Sequence, residues 1–142
     1  RDEGQRTVLA FDFGTKSIGV AVGQEVTGTA SPLAALKARD GIPDWGKLET
    51  LYEEWQPDVV VVGLPLNMDG SEGPRVQASR AFARNLLQQK DQPIVFWDER
   101  LSTSAVTRTL IDADMSRAKR ADVVDKMAAA YILQGFLDLL NN

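Results

Sequence analysis

The stretch VLAFDFGTKSIGVAVG, residues 8–23, decides the fold of this chain. Two runs rich in strand-forming residues, 8–13 and 18–22, flank the turn-forming segment 14–17, so the stretch predicts a β-hairpin. Asp12 lies inside the first apolar run, where a carboxylate is costly unless its charge is compensated. Asp12 therefore either bonds the turn amides or faces a cation, and this stretch alone favours the turn.

The composition excludes several kinds of chemistry. The 142 residues include no cysteine and no histidine. Disulfides, thiolate zinc sites, thiol catalysis, imidazole ligands and the Ser-His-Asp triad are therefore excluded. The net charge of −4 argues mildly against a protein that coats nucleic acid electrostatically. It says little about an enzyme whose acids are neutralised by a metal ion.

Length and hydropathy predict one domain away from membranes. A chain of 142 residues can bury one sizeable core, so we expect a single domain over residues 1–142, with residues 1–6 flexible. No apolar run approaches the ~20 residues of a membrane-spanning helix. The opening residues, RDEGQR, contain no apolar stretch like that of a secretory signal. The sequence therefore predicts a cytoplasmic protein.

The rest of the pattern predicts a mixed α/β fold. A third strand is expected over residues 27–36, bent or interrupted at Pro32, and Asp44 is the expected cap of the first helix. Two more strands and four helices follow from the apolar spacing, at residues 59–62 and 94–97, and at residues 45–55, 75–89, 103–112 and 122–140. This order is typical of a sheet with three antiparallel strands followed by parallel strands, flanked by helices.

Three acids fall where the predicted elements could bring them together. Asp12 lies near the end of the first strand, Glu99 follows strand 94–97, and Asp125 shares a helix face with core positions. Because functional sites gather at the carboxyl ends of parallel strands, these acids could meet at one edge of the sheet. Carboxylates without histidine suit hard divalent cations, chiefly Mg²⁺ or Mn²⁺.

Each acid also has an ordinary structural interpretation. Asp12 could stabilise its turn, and Glu99 could form a solvated pair with Arg100. Asp125 could lie in the first turn of its helix, where an acid complements the positive end of the helix dipole, with Asp122 as the cap. Spacing alone does not decide between these interpretations and a shared metal site.

Basic residues accompany the acids. Arg117, Lys119 and Arg120 cluster in a predicted polar loop over residues 115–121, and Lys16 follows Asp12 by four residues. Three more arginines lie on the predicted helix 75–89, at Arg75, Arg80 and Arg84. A solvated face explains most such clusters. A basic loop beside a metal site is, however, what a phosphate backbone would need.

Four motifs resemble a known family. The segments FDFGTKSIGVAVG, GLPLNMDGSEGP, FWDERLSTSAV and VDKMAAAYILQGFL are similar, in order and spacing, to the YqgF-type family of Holliday junction resolvases. Members of this family are also described as nucleases that mature precursor 16S rRNA. The resemblance implies a ribonuclease H-like fold with a five-stranded mixed sheet flanked by helices. It also implies catalytic, metal-binding roles for Asp12, Glu99 and Asp125.

The resemblance implies a metal-dependent endonuclease. One or two Mg²⁺ or Mn²⁺ ions held by these acids would support hydrolysis of a phosphodiester bond in structured nucleic acid. Precursor rRNA is favoured over branched DNA as the substrate, and processing at its 5′ end is the expected activity. The expected nucleic-acid-binding residues are Lys16, Arg100, Arg117, Lys119 and Arg120. Asp98 and Asp122 are weak candidates for a fourth carboxylate.

Three alternative functions stay open at this point. Holliday junction resolution needs two coordinated cuts and hence a symmetric dimer, whereas the sequence predicts a monomer or weak dimer. Residues 12–15, followed by an alternating strand, also resemble the phosphate-binding hairpin of sugar kinases and actin-like ATPases, which bind nucleotide between two such domains. The third alternative is a non-catalytic adaptor for RNA or for the ribosomal or transcription machinery.

Overall fold

The computed structural model describes residues 4–101 and 117–141. Within them the chain forms a mixed sheet with the spatial strand order β4-β3-β2-β1-β5-β6. The strands are β1 (Thr7–Asp12), β2 (Ser17–Gln24), β3 (Thr29–Arg39), β4 (Ile42–Pro43), β5 (Val59–Leu64) and β6 (Ile94–Asp98). The helices are α1 (Trp45–Trp55), α2 (Pro74–Gln89) and α3 (Arg117–Leu140), and a 3-10 turn, Glu99–Leu101, follows β6.

Strand β1 lies inside the sheet and sets its mixed character. It pairs antiparallel with β2 and parallel with β5, while β3 runs antiparallel to β2 and β6 runs parallel to β5. This confirms the predicted succession of antiparallel and then parallel strands. The predicted number of five strands was wrong, because β4 adds a sixth through the pairs Ala38–Pro43 and Arg39–Ile42. A strand of two residues is too short to show the alternation of apolar and polar side chains by which strands are recognised in a sequence.

Strand β3 is irregular at the expected place. Val20 of β2 pairs with Ala34, but the next residue, Ala21, pairs with Pro32, so Leu33 has no partner in the register. Proline has no N–H to donate to the ladder, and a bulge beside it accommodates that loss. The bend predicted at Pro32 is confirmed, although the strand continues to Arg39.

The sheet is covered on both faces. Alternate residues of β1, represented by Leu9 and Phe11, join the core formed with α1 and α2. The intervening residues, Val8 and Ala10, join the core formed with α3. By the same alternation Asp12 lies on the α3 face of the sheet and Phe13 on the α2 face.

Helix α1 confirms its predicted start. Asp44 precedes the helix, and its Oδ1 accepts hydrogen bonds from the backbone N–H groups of Gly46 (3.0 Å) and Lys47 (3.4 Å). Such a cap contributes about 1 kcal/mol to helix stability. The bounds of α1, Trp45–Trp55, are those expected from the apolar spacing.

Helix α3 begins earlier than predicted. It starts at Arg117, so the expected loop is helical from that residue on, and Asp122 lies inside the helix rather than at its cap. Asp125 is more than two turns into the helix, where the terminal dipole no longer acts. The first-turn interpretation of Asp125 was therefore wrong. The helix expected at residues 103–112 lies outside the described residues.

A buried acid anchors the beginning of the described chain. The side chain of Glu25 is 6% exposed and accepts hydrogen bonds from the backbone N–H groups of Gly4 and Arg6 and from the guanidinium of Arg6, with Nη2 at 2.7 Å. The Arg6 guanidinium outweighs the effect of burial and lowers the pKa of Glu25 to about 2. The anchor holds the backbone of Gly4 and Arg6 just before β1. The expectation that residues 1–6 are flexible did not take this contact into account.

We predict that Glu25→Gln lowers the free energy of unfolding at pH 7 by about 2 kcal/mol. Because the folded-state pKa is lowered, the stabilisation is present above the unfolded-state pKa of 4.5 and is lost as the pH falls towards about 2. Urea denaturation of both proteins across this range measures the difference. A difference that stays constant down to the lowest pH would contradict the assignment. Glu54→Gln, at an exposed position of α1, is the control.

Candidate active site

Asp12 ends β1 at a point where both neighbouring strands carry glycine. It is 8% exposed and lies on the α3 face of the sheet. Gly19 is its register partner on β2. On the other side Phe11 pairs with Val62 of β5, so Gly63 follows in the position next to Asp12. Because both neighbours are glycines, no side chain stands beside Asp12 on the adjacent strands, which lie about 4.8 Å away on either side.

Gly19 brings Asp125 to one flank of Asp12. A Cβ placed on Gly19 would collide with the backbone carbonyl of Asp125. Helix α3 therefore rests directly on β2, and a residue without a side chain is required there. Asp125 itself is half-buried, and Ala129 and Ile132, which share its helix face, are fully buried. The prediction that Asp125 lies on the core-facing side of its helix is confirmed.

Gly63 brings Glu99 to the other flank of Asp12. A Cβ placed on Gly63 would lie 3.1 Å from both Cγ and Oε2 of Glu99 and 2.6 Å from Cδ1 of Ile132. The half-buried Glu99 thus folds back from the 3-10 turn over the end of β5. We name the set Asp12, Glu99 and Asp125 the acidic patch.

The acidic patch lies on one face of the sheet, with Asp12 in the middle. Glu99 lies over β5 and Asp125 over β2, so their positions are about two strand spacings, roughly 10 Å, apart. Among the described side chains, those of residues 4–101 and 125–141, no three acids lie close enough together to hold one metal ion. The structure therefore brings each outer acid beside Asp12 without gathering all three around one point.

The donor types of the patch nevertheless suit a hard divalent cation. All three are carboxylates, and the glycines beside Asp12 allow the backbone of Asp125 and the side chain of Glu99 to come close to the sheet. Mg²⁺ and Mn²⁺ prefer such oxygen ligands. Metal binding by these residues stays a prediction.

Arg100 has a structural partner that the sequence did not reveal. Its guanidinium binds Asp98, with Nη2–Oδ2 at 2.7 Å, and donates from Nη1 to the carbonyl of Met68 at 3.1 Å. The Arg100 guanidinium lowers the pKa of Asp98, and Asp98 raises that of Arg100. The expected Glu99–Arg100 pair was therefore wrong. Asp98, the weak candidate for a fourth carboxylate, is the last residue of β6, and its carboxylate is bound by Arg100.

The remaining basic candidates occupy two places. Lys16 is exposed in the β1–β2 turn, and its backbone carbonyl accepts a hydrogen bond from Ala38 N–H at 2.9 Å. The backbones of Arg117, Lys119 and Arg120 belong to the first turns of α3, and their side chains lie outside the described part of the chain. Nucleic-acid binding by these four residues and by Arg100 stays a prediction.

The two glycines are site residues that the sequence analysis missed. A signal for both was present, because glycine inside a strand pattern marks a close approach of another backbone or side chain. Gly19 interrupts the alternation of β2, and Gly63 follows the four valines of β5. Which group approaches each glycine could not be read from the sequence.

The chain also matches known proteins by sequence. The family model described as "RuvX: Holliday junction resolvase" matches residues 6–139. A relative from Methylocella silvestris is 53% identical over 136 residues, which cover 96% of this chain and 84% of the relative. A relative from Yersinia enterocolitica is 54% identical over 133 residues, 94% of this chain and 95% of the relative. Both relatives carry the name "Putative pre-16S rRNA nuclease".

Solved structures agree on the fold. RuvC of T. thermophilus, in complex with a Holliday junction substrate, superposes with a TM-score of 0.56 at 14% identity, covering 94% of this chain and 96% of that chain. The yeast mitochondrial Holliday junction resolvase Ydc2 gives a TM-score of 0.51 at 14% identity, with 97% and 81% covered. These likenesses confirm the predicted ribonuclease H-like fold. With a family model over almost the whole length and relatives more than half identical, the chain belongs to the RuvX family, described as Holliday junction resolvases.

Proposed function

We propose that this protein is a metal-dependent endonuclease that processes the 5′ end of precursor 16S rRNA. One structural observation carries the proposal: a buried carboxylate, Asp12, is flanked by two glycines over which Glu99 and Asp125 approach it. Family membership supports a nuclease, and the names of the relatives support the RNA substrate. In the absence of histidine and cysteine, carboxylates are the chemistry that such a site offers.

The residues of the acidic patch have distinct parts in this proposal. Asp12, Glu99 and Asp125 would hold one or two Mg²⁺ or Mn²⁺ ions. When bound, such ions supply positive charge at the phosphate and lower the pKa of a water molecule. Asp12 is fixed at the end of a buried strand and is the neighbour of both other acids, so it would share an ion with either Glu99 or Asp125. Lys16 would contact phosphate oxygens from the adjacent turn.

Partners and location follow from the substrate. Precursor rRNA of a bacterium is in the cytoplasm, which is where the proposal places the protein. No described helix is long and apolar enough to span a membrane. Contacts with ribosomal or transcription proteins belong to the adaptor hypothesis. That hypothesis requires function to survive Asp12→Asn, whereas a nuclease requires it to be lost.

Resolution of Holliday junctions is the second candidate function. The family description and the resolvase fold of the solved structures favour it. Resolution needs two symmetric cuts and therefore two copies of the site. A cleavage assay on precursor rRNA and on four-way junction DNA in parallel, with chelator controls, tests both candidates. Specific cleavage of the rRNA supports the first, and paired cuts by a dimer on the junction support the second.

We predict that Asp12→Asn, Glu99→Gln and Asp125→Asn each reduce Mg²⁺- or Mn²⁺-supported cleavage on the order of a thousandfold, because each removes a charge that would hold the ion. Initial rates on precursor rRNA provide the measurement. Asp138→Asn is the matched control, since Asp138 is an exposed acid further along the same helix as Asp125. If Asp125→Asn cleaves as well as Asp138→Asn, Asp125 has no place in the site.

Stability measurements separate loss of activity from loss of folding. Neighbouring carboxylates repel one another when no cation is bound, so neutralising one relieves that repulsion. We expect the three neutral variants to melt no lower than the parent protein in chelator. Strong destabilisation of all three in a thermal melt would contradict the placement of these acids beside one another.

A glycine substitution tests the geometry of the patch. We predict that Gly63→Ala reduces cleavage at least tenfold, since its new methyl group would lie 2.6 Å from Ile132 Cδ1 and 3.1 Å from Glu99, and a small misplacement of a catalytic group is costly. Gly23→Ala is the control, because its Cβ would also contact α3, at 2.9 Å from Leu137 Cδ1, but far from the acids. Both should lose about 1–3 kcal/mol of stability. Equal activity in the two variants would show that Gly63 does not position Glu99.

A further inference from the structure

A cleft of about 340 Å³ lies on the α2 side of the β1–β2 turn. It is lined by Phe13, Gly14 and Thr15 from the turn and by Arg75 and Ala78 from α2. We name it the α2 cleft. Because Phe13 follows Asp12 directly, the α2 cleft and the acidic patch adjoin the same strand end from opposite faces of the sheet.

The floor of the α2 cleft is fixed by aromatic packing. The ring of Phe13 lies 5.1 Å from that of Phe82, which in turn contacts Phe11 edge-on at 5.6 Å. Phe11 and Phe82 belong to the buried core. The rim is polar, since Thr15 and Arg75 are both exposed. A ligand would therefore meet a packed apolar floor and exposed polar donors at its edge.

Arg75 differs from the arginines that have structural partners. Arg80, one turn and a half further along α2, is held by Glu72 at 2.9 Å and lies over the ring of Phe96 at 5.0 Å. Arg100 is held by Asp98. In the part of the chain that the structure describes, no carboxylate pairs with the Arg75 side chain. None of the described residues that line the α2 cleft is acidic.

The α2 cleft is close enough to Asp12 to contact the same nucleic-acid strand. Thr15 is three residues beyond Asp12, so their Cα atoms are at most about 11 Å apart. Even in a duplex, where nucleotides are closely stacked, one strand advances about 3.4 Å per nucleotide along the helix axis. A phosphate in the cleft would therefore be within about three nucleotides of a bond positioned at Asp12.

We propose that the α2 cleft binds a phosphodiester group of the substrate strand through the Arg75 guanidinium, with the Thr15 hydroxyl as a second donor. The proposal deepens the nuclease function and rests on it for the identity of the strand as RNA. The planar fork of arginine matches the oxygens of a phosphate, and a contact of this kind sets position without reading sequence. The cleft thereby holds the strand in register with Asp12 from the other face of the sheet.

The test compares Arg75→Ala with Arg84→Ala. Arg84 is exposed on the same helix, about 13.5 Å further along it and on the opposite side. Arg84→Ala therefore removes the same charge as Arg75→Ala, but away from the α2 cleft. Binding of a labelled single-stranded RNA is followed by fluorescence anisotropy in chelator, which prevents metal-dependent cleavage, at KCl concentrations from about 50 to 200 mM. Melting temperatures confirm that each variant is folded.

We expect Arg75→Ala to weaken binding about tenfold and to reduce the slope of log affinity against log salt by about 0.7, the value for one phosphate contact on a single strand. Thr15→Ala should weaken binding by a smaller factor. Arg75→Lys should restore the slope but only part of the affinity, because lysine keeps the charge and loses the fork. Arg84→Ala should leave both quantities near those of the parent protein.

Two results would overturn the inference: equal effects of Arg75→Ala and Arg84→Ala, or an unchanged salt slope in Arg75→Ala. These outcomes are independent of the proposed function, because the binding assay involves no cleavage. A protein that cleaves precursor rRNA but shows no Arg75 specificity refutes the cleft alone. A protein that shows Arg75 specificity but cleaves neither substrate refutes the nuclease alone.

Discussion

The contact between the backbone of helix α3 and the bare backbone of Gly19 is the constraint on which the candidate site depends. Helix α3 covers the face of the sheet to which Asp12 belongs, and it approaches as closely as it does because β2 has no side chain at that point. The close approach places Asp125 beside Asp12 and packs Ala129 and Ile132 onto the neighbouring strands. A Cβ at Gly19 would lift the helix and remove one flank of the acidic patch.

The alternation of side chains along a strand separates the functions of neighbouring residues. Asp12 and Phe13 are adjacent in sequence, yet one belongs to the acidic patch and the other floors the α2 cleft. Asp98 and Glu99, at the end of β6 and the start of the 3-10 turn, also make separate contacts. Asp98 binds Arg100, which holds the loop after β5 through Met68, while Glu99 turns over Gly63 towards Asp12. Both strand ends thus combine a structural or binding contact with an acid of the acidic patch.

The arginines differ in whether a carboxylate is paired with them. Arg6, Arg80 and Arg100 each have a carboxylate partner, and these ion pairs help to hold loops and termini in place. The Arg6–Glu25 pair, which is the most buried of them, fixes the approach to β1. Arg75 has no such partner within the described residues and lies beside the turn that follows Asp12. Sequence clustering did not distinguish these cases, because a guanidinium binds whichever carboxylate the fold brings to it.

Local sequence by itself determined most of the secondary structure and the resemblance to the YqgF-type family. The cap at Asp44, the bend at Pro32 and the buried run of valines in β5 are consequences of neighbouring residues only, and each was predicted. The two-residue strand β4 was not, because it is defined by a partner strand, and neither was the start of α3 at Arg117. The identity of the three acids was likewise available from their motifs.

Tertiary structure alone decided how those acids are arranged. That Gly19 admits Asp125, that Gly63 admits Glu99, and that Arg100 reaches the carbonyl of Met68 all depend on which strands are neighbours. Strand order is a property of the whole sheet, since it arises when apolar faces from distant segments are buried together. Sequence spacing therefore identifies the groups that a site can use, and only the folded sheet determines which of them lie side by side.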